Sequence, residues 1–215
     1  MIVRGIPSLR EVSFLCVIRS EDTEITPTGA KCLTHLRIKF RPRESTRIDM
    51  FRQFVKCVAG SSQLRILEIV PTRTRRKTNV LRGDVVVNHI ISIHGSTLQK
   101  LKLPNFHLSS ALLKRTILHC KQLRALWIGI PQNIKTELPA LLAPSTSLEK
   151  IRIYVEGRWD YVYVNSLFHQ TCQSLSVFKV CTTSGYQKRK TEWKVCKPNL
   201  SSTPMLNLLS VSMGE

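Results

Sequence analysis

Aliphatic residues recur along the chain in one fixed triplet, Leu-x-x-Leu-x-Leu with aliphatic or Phe replacements. It comes eight times: Leu9/Val12/Phe14, Leu33/Leu36/Ile38, Leu64/Leu67/Ile69, Leu98/Leu101/Leu103, Leu123/Leu126/Ile128, Leu148/Ile151/Ile153, Leu175/Phe178/Val180 and Leu206/Leu209/Val211. The leading residues stand 24 to 34 positions apart. One such hexamer arises by chance in any leucine-rich chain, but eight ordered copies do not. A second regularity supports the same register. Three positions before each leading residue are Ile6, Ala30, Ser61, Gly95, Cys120, Ser145, Cys172 and Thr203, all but the first small, as a crowded turn into a strand requires. Within each triplet the alternation predicts a short strand with one buried face.

Between the triplets the apolar spacing becomes helical. Phe51, Phe54, Val55 and Val58, then Val86, Ile90 and Ile93, then Leu112, Leu113, Ile117 and Leu118 predict outer-face helices of roughly 10 to 14 residues. Pro139 and Pro144 interrupt the corresponding stretch of the 123–148 unit, because proline lacks the N–H that a helix interior needs, so a short turn is expected there. Strand and helix alternating at this period predict a solenoid, an architecture in which each unit buries its apolar face against its neighbours.

Two segments, Cys120-Lys-Gln-Leu123-Arg-Ala-Leu126-Trp-Ile128 and Cys172-Gln-Ser-Leu175-Ser-Val-Phe178-Lys-Val180, resemble the cysteine-containing leucine-rich repeats of ribonuclease-inhibitor-like and F-box proteins. Gly95-Ser-Thr-Leu98-Gln-Lys-Leu101-Lys-Leu103 is similar to the divergent repeats of fungal F-box/leucine-rich-repeat proteins, and the resemblance extends from Leu9 to Val211. It implies an α/β leucine-rich-repeat solenoid of about eight irregular repeats, with a parallel concave sheet and outer helices, as one domain over residues 1–215. It also implies substrate recognition for an F-box-type ubiquitin ligase. Where the family has Asn or Cys, three residues after the last strand position, this chain has Val17, Arg41, Thr72, Phe106, Pro131, Glu156, Thr183 and Gly214, so irregular turns are expected. The first strand begins almost at the N-terminus and no F-box-like segment precedes it, so the array is expected to be truncated there.

At 42% hydrophobic, 215 residues suffice for one continuous core. No apolar run reaches the roughly 18 residues of a membrane span, and Glu11 interrupts the apolar stretch of residues 1–20 where a secretory signal would lie. An intracellular, cytoplasmic or nuclear protein is expected. The seven cysteines, at 16, 32, 57, 120, 172, 181 and 196, are odd in number and include no C-x-x-C, which argues against a disulfide framework or a zinc site. Cys120 and Cys172 are expected to be packed thiols. Asn199-Leu-Ser201 is a formal glycosylation sequon, incidental in an intracellular protein.

Catalytic signatures are missing from the sequence. It contains no G-x-x-x-x-G-K-[ST] loop, no G-x-S-x-G elbow and no H-E-x-x-H pair, and its six histidines are dispersed. His119 and Cys120 are adjacent in sequence, so their side chains diverge. No enzyme, cofactor or metal is expected.

Residues between the core positions of a strand must face the other side of the sheet. One such column reads Ser13, Arg37, Glu68, Lys102, Trp127, Arg152, Lys179 and Ser210. A second reads Glu11, His35, Ile66, Lys100, Ala125, Lys150, Val177 and Leu208, with Lys39 and Tyr154 further along their strands. Arg152 and Lys179 fall on adjacent strands, about 4.8 Å apart, where two like charges repel by about 0.9 kcal/mol even at the dielectric of water. Glu68 is placed to serve Arg37 and Lys102, and a bound anion would offset the remaining charge. Trp127, with Tyr154 on the next strand, reads as a binding anchor among cations, or more plainly as cover for the apolar floor.

The formal net charge is +19, from 33 Lys and Arg against 14 Asp and Glu, so polyanions should be attracted. Arg73, Arg75, Arg76 and Lys77 form one dense cluster and Lys188, Arg189 and Lys190 another, with Arg41 and Arg43 a smaller third. All follow strand ends and are expected along one edge, as a nuclear-localisation patch, a phosphate-contacting rim or a soluble loop. The residues together favour a protein partner with an acidic or phosphorylated segment. Nucleic acid is the alternative, and a ligase adaptor would be a further partner if an F-box belongs to this protein.

Overall fold

The computed structural model describes residues 10–16, 32–40, 62–71, 81–157, 159–183 and 190–196. Strands β1 (Glu11–Cys16), β2 (His35–Phe40), β3 (Ile66–Pro71) and β4 (Leu81–Arg82) lead to helix α1 (Asp84–His94). Then come β5 (Lys100–His107), α2 (Ser110–His119), β6 (Ala125–Ile130), a 3-10 turn (Gln132–Ile134) and the short α3 (Leu138–Leu142). The described chain finishes with β7 (Lys150–Glu156), α4 (Tyr161–Gln170), β8 (Val177–Thr183) and β9 (Lys190–Cys196). The protein is α/β, with a mainly parallel sheet of nine described strands in the order β1-β2-β3-β5-β6-β7-β8-β9, and β4 beside β5.

The register follows the triplets. Val12, Leu36, Leu67, Leu101, Leu126, Ile151 and Phe178 pair in succession from β1 to β8. From Leu36 onward these side chains are buried, and they form one core with Val86, Val87, Ile90 and Ile91 of α1, Leu112, Leu113 and Ile117 of α2, and Val164, Leu167 and Phe168 of α4. The helices therefore cover one face of the sheet. Of the residues expected to face the core, Ile93 and Leu118 are instead exposed, because the buried stripes run through Val86/Val87/Ile90/Ile91 and Leu112/Leu113/Thr116/Ile117. Ser109 and Asp160 cap α2 and α4, each side chain accepting from the backbone N–H three residues on. The proline-interrupted unit has five helical residues with Pro139 in the first turn, where its missing N–H costs nothing.

The starts of the strands are more regular than the sequence led one to expect. The carbonyl of Arg10 accepts from the N–H groups of both Thr34 and His35, and Thr34, Arg65, Gln99, Arg124 and Glu149 in turn accept from the next strand in the same way, at 2.8–3.1 Å. Hydroxyls reinforce the series: Thr97, Ser147 and Ser174 donate to the carbonyls of Leu64, Leu123 and Leu148 at 2.9–3.0 Å. The small residues before the triplets, Gly95, Cys120, Ser145 and Cys172, are buried. The turns depart from regularity at the other end of the strands. β5 bulges between Leu103 and His107, around Pro104, and β3 pairs with it only as far as Glu68↔Lys102 before β4 takes over at Phe106 and His107. The bulge presses on Gly129, where a Cβ would collide with the His107 ring.

The last described strand corrects the all-parallel expectation. β9 runs antiparallel to β8, from Thr183↔Lys190 to Val177↔Cys196. Lys190, expected in a basic loop, is thus the first residue of a strand. The expected strand at Leu206/Leu209/Val211 and the expected helix at Phe51, Phe54, Val55 and Val58 lie outside the described residues, as do Leu9, Ile6, Ala30, Ser61, Thr203, Cys57 and Asn199. None of the described helices is long and apolar enough to cross a membrane.

Candidate functional site

Alternation sends the residues between the core positions to the face that the described helices leave open. Ser13, Arg37, Glu68, Lys102, Trp127, Arg152 and Lys179 are register partners in one straight row, which β9 extends with Lys194 opposite Lys179. At about 4.8 Å per strand the row spans ~34 Å. Beside it runs the row of Glu11, His35, Ile66, Lys100, Ala125, Lys150 and Val177. Lys39 is exposed and pairs with Leu15 and Val70, while Tyr154 pairs with Gly129 and Cys181, one row beyond Trp127 and Arg152.

Glu68 is the hub of the first half of this face. Its side chain is only 11% exposed, and Lys100 Nζ lies 2.6 Å from Oε1, Arg37 Nε 3.4 Å and Lys102 Nζ 3.9 Å from Oε2. The sequence placed Arg37 and Lys102 beside it in the row. The nearest partner, Lys100, is a diagonal neighbour that a column-by-column reading misses. Burial pushes the Glu68 carboxyl up, but the Lys100 hydrogen bond and the charges of Lys100, Lys102 and Arg37 outweigh it and hold its pKa below the usual carboxylate range.

Trp127 is half-buried, with cations lying over it. Lys102 Nζ is 4.2 Å from the ring centroid, Lys100 Nζ 5.3 Å and Arg152 Cζ 5.9 Å. An ammonium over an indole face is a favourable arrangement, and here the ring serves as a partial counterweight to three neighbouring cations. Lys102 is held between the Glu68 carboxylate and the Trp127 ring. Its pKa is lowered, first by burial and then by repulsion from Lys100, Arg37 and Arg152, which Glu68 only partly opposes. On the other side Arg152 lies 5.4 Å from the Tyr154 ring, and its Nε donates to Cys181 Sγ at 3.1 Å.

The second half of the row is carried by like charges. Arg152, Lys179 and Lys194 sit side by side on β7, β8 and β9. Lys194 has no counterpart in the sequence reading, since β9 lacks the triplet. Its period-two order, Thr191-Glu-Trp193-Lys-Val195, was the available signal. Glu192 pairs with Cys181 and so falls in the row of Tyr154. Lys150 stands in the neighbouring row, between Ala125 and Val177. Of the basic edge clusters, Arg73, Arg75, Arg76, Lys77, Lys188 and Arg189 lie outside the described residues, as do Arg41 and Arg43.

No group of three or more His, Cys, Asp or Glu side chains poised for a metal exists among the described residues. Cys120, Cys172 and Cys181 are buried free thiols, Cys32 and Cys196 exposed ones. Burial pushes the Cys120 thiol up to about 12, which makes it a poor nucleophile, and its neighbour His119 points to solvent. Among the described residues the other buried titratable group is His94, in the last turn of α1. Burial, with a smaller contribution from the charge of nearby His89, lowers its pKa to about 4 against an opposing backbone hydrogen bond at Ser62. No protein-family model, curated protein or solved structure matches this chain.

Proposed function

We propose that the protein is a non-catalytic interaction module, a leucine-rich-repeat solenoid whose sheet face opposite the described helices receives an acidic or phosphorylated protein segment. By its resemblance to F-box/leucine-rich-repeat proteins it would act as the substrate-recognition part of an F-box-type ubiquitin ligase, inside the cell. The observation that carries this reading is the row of Arg37, Lys102, Arg152, Lys179 and Lys194 around Trp127, on strands whose opposite face is fully used by the core. An extended segment rises about 3.3 Å per residue, so a ~34 Å row accommodates roughly ten residues.

Nucleic acid is the second reading, favoured by the net charge of +19. Binding of single strands joins cations to several stacking aromatics. This face offers chiefly Trp127 and Tyr154, and Lys102 already lies over Trp127.

A partner recovered from cell extract, titrated against three variants, tests the proposal. Trp127→Ala should cost about 2 kcal/mol or more of binding, and Arg152→Glu should weaken it further by opposing an anionic ligand. Neutralising Arg75, Arg76 and Lys77 should mainly slow association. If the face variants bind like the parent while the edge variant loses all binding, the edge cluster carries the function. Affinity for any oligonucleotide that falls steeply with salt would shift the assignment to nucleic acid.

A further inference from the structure

We propose that Glu68 is a built-in competitor for the ligand's anion, so that this face selects a doubly charged phosphate monoester over a carboxylate. The inference rests on the anion-binding reading above and deepens it. The two ammonium groups nearest Trp127, those of Lys100 and Lys102, are the same two that Glu68 engages at 2.6 and 3.9 Å. A ligand anion arriving over the ring therefore finds its donors in use. A carboxylate could only replace one carboxylate by another, and Glu68, tethered within reach of Lys100, holds the advantage of an intramolecular partner.

A phosphate monoester differs in both charge and geometry. Near neutral pH it carries about two negative charges and three acceptor oxygens. Arg37, Lys100 and Lys102 supply three positive charges and Glu68 removes one, leaving a surplus of two among these four groups. A dianion can draw on that surplus beside Trp127, where Lys102 and Lys100 approach the ring at 4.2 and 5.3 Å, while Glu68 keeps part of its own contacts.

The test titrates phenyl phosphate and benzoate, two aryl anions of different charge, and follows the indole N–H resonance of Trp127, identified with Trp127→Phe, at a pH of about 7.5 where the phosphate is dianionic. The parent protein should bind phenyl phosphate at least about tenfold more tightly than benzoate, and Glu68→Gln should narrow that ratio to about threefold or less, chiefly by tightening benzoate. The amide spectrum reports whether each variant is folded. If Glu68→Gln is not, Glu68→Asp, with its charge on a shorter arm, should move the ratio the same way by a smaller factor. Equal affinities in the parent, or an unchanged ratio in the folded variant, would overturn the selectivity while leaving an anion site in place. If neither anion shifts the Trp127 resonance, the anion-binding reading falls and the selectivity with it.

Discussion

The two faces of strands β5, β6 and β7 could hardly differ more for residues one position apart. Leu101, Leu103, Leu126, Ile128, Ile151 and Ile153 are at most 1% exposed against the helices, while Lys100, Lys102, Trp127, Lys150 and Arg152 crowd the opposite side. A one-residue slip would exchange them, so the apolar set alone decides the register. Each fully buried aliphatic side chain contributes roughly 1.5–3 kcal/mol, more than the about 0.9 kcal/mol by which two like charges on neighbouring strands repel in water. One face thus supplies stability enough for the other to gather cations that stability alone would not favour.

Substitutions on the two faces should differ widely in cost. Leu101→Ala and Leu126→Ala should each lose roughly 2–5 kcal/mol in chemical denaturation, whereas Lys102→Ala should lose far less, since it also relieves repulsion among Lys100, Arg37 and Arg152. Comparable losses would mean that the strands are read in the wrong phase.

Acid separates the faces by pH window. On the helix side, folding holds His94 neutral, its pKa lowered from 6.5 to about 4. The unfolded chain therefore binds more protons between these values. Stability is fully present above 6.5 and declines as pH falls toward 4, by up to ~3 kcal/mol. His94→Leu should flatten that slope in denaturation curves at stepped pH. On the open face the Glu68 carboxyl is lowered below 4.5, so its contribution is present above 4.5 and is lost only as pH drops further through its folded value. A slope between 6.5 and 4 that survives His94→Leu would assign it to other groups.

The smallest effect expected is from reductant. Packed thiols predict an unchanged melting temperature under reduction, with Cys32 and Cys196 alkylated in the native state and Cys120, Cys172 and Cys181 only on unfolding. Mass mapping checks this, and native labelling of Cys120 would mean that the core opens at α2.

Strand positions and phase were legible because burial imposes a strict period of two, which Leu64/Leu67/Ile69 and Leu148/Ile151/Ile153 display without ambiguity. The open-face rows were legible for the same reason, down to Arg152 beside Lys179. What lay beyond the pattern was interaction across the diagonal and the reach of long side chains: Lys100 turning to Glu68, and Lys102 folding over Trp127. β9 escapes the pattern because its alternation lacks the leading leucine, and α1 departs from the expected stripe only at Ile93, where Val87 and Ile91 take the core side.

The shared carbonyls at the strand starts have a consequence for how the sheet comes apart. In each of the six junctions the single acceptor belongs to the earlier strand and both donors to the later one. Whichever strand leaves, the same two bonds break together, so each shared carbonyl ties a pair of amide protons to one opening event. In amide exchange, the protons of residues 34 and 35 should show matched protection, as should those of 176 and 177.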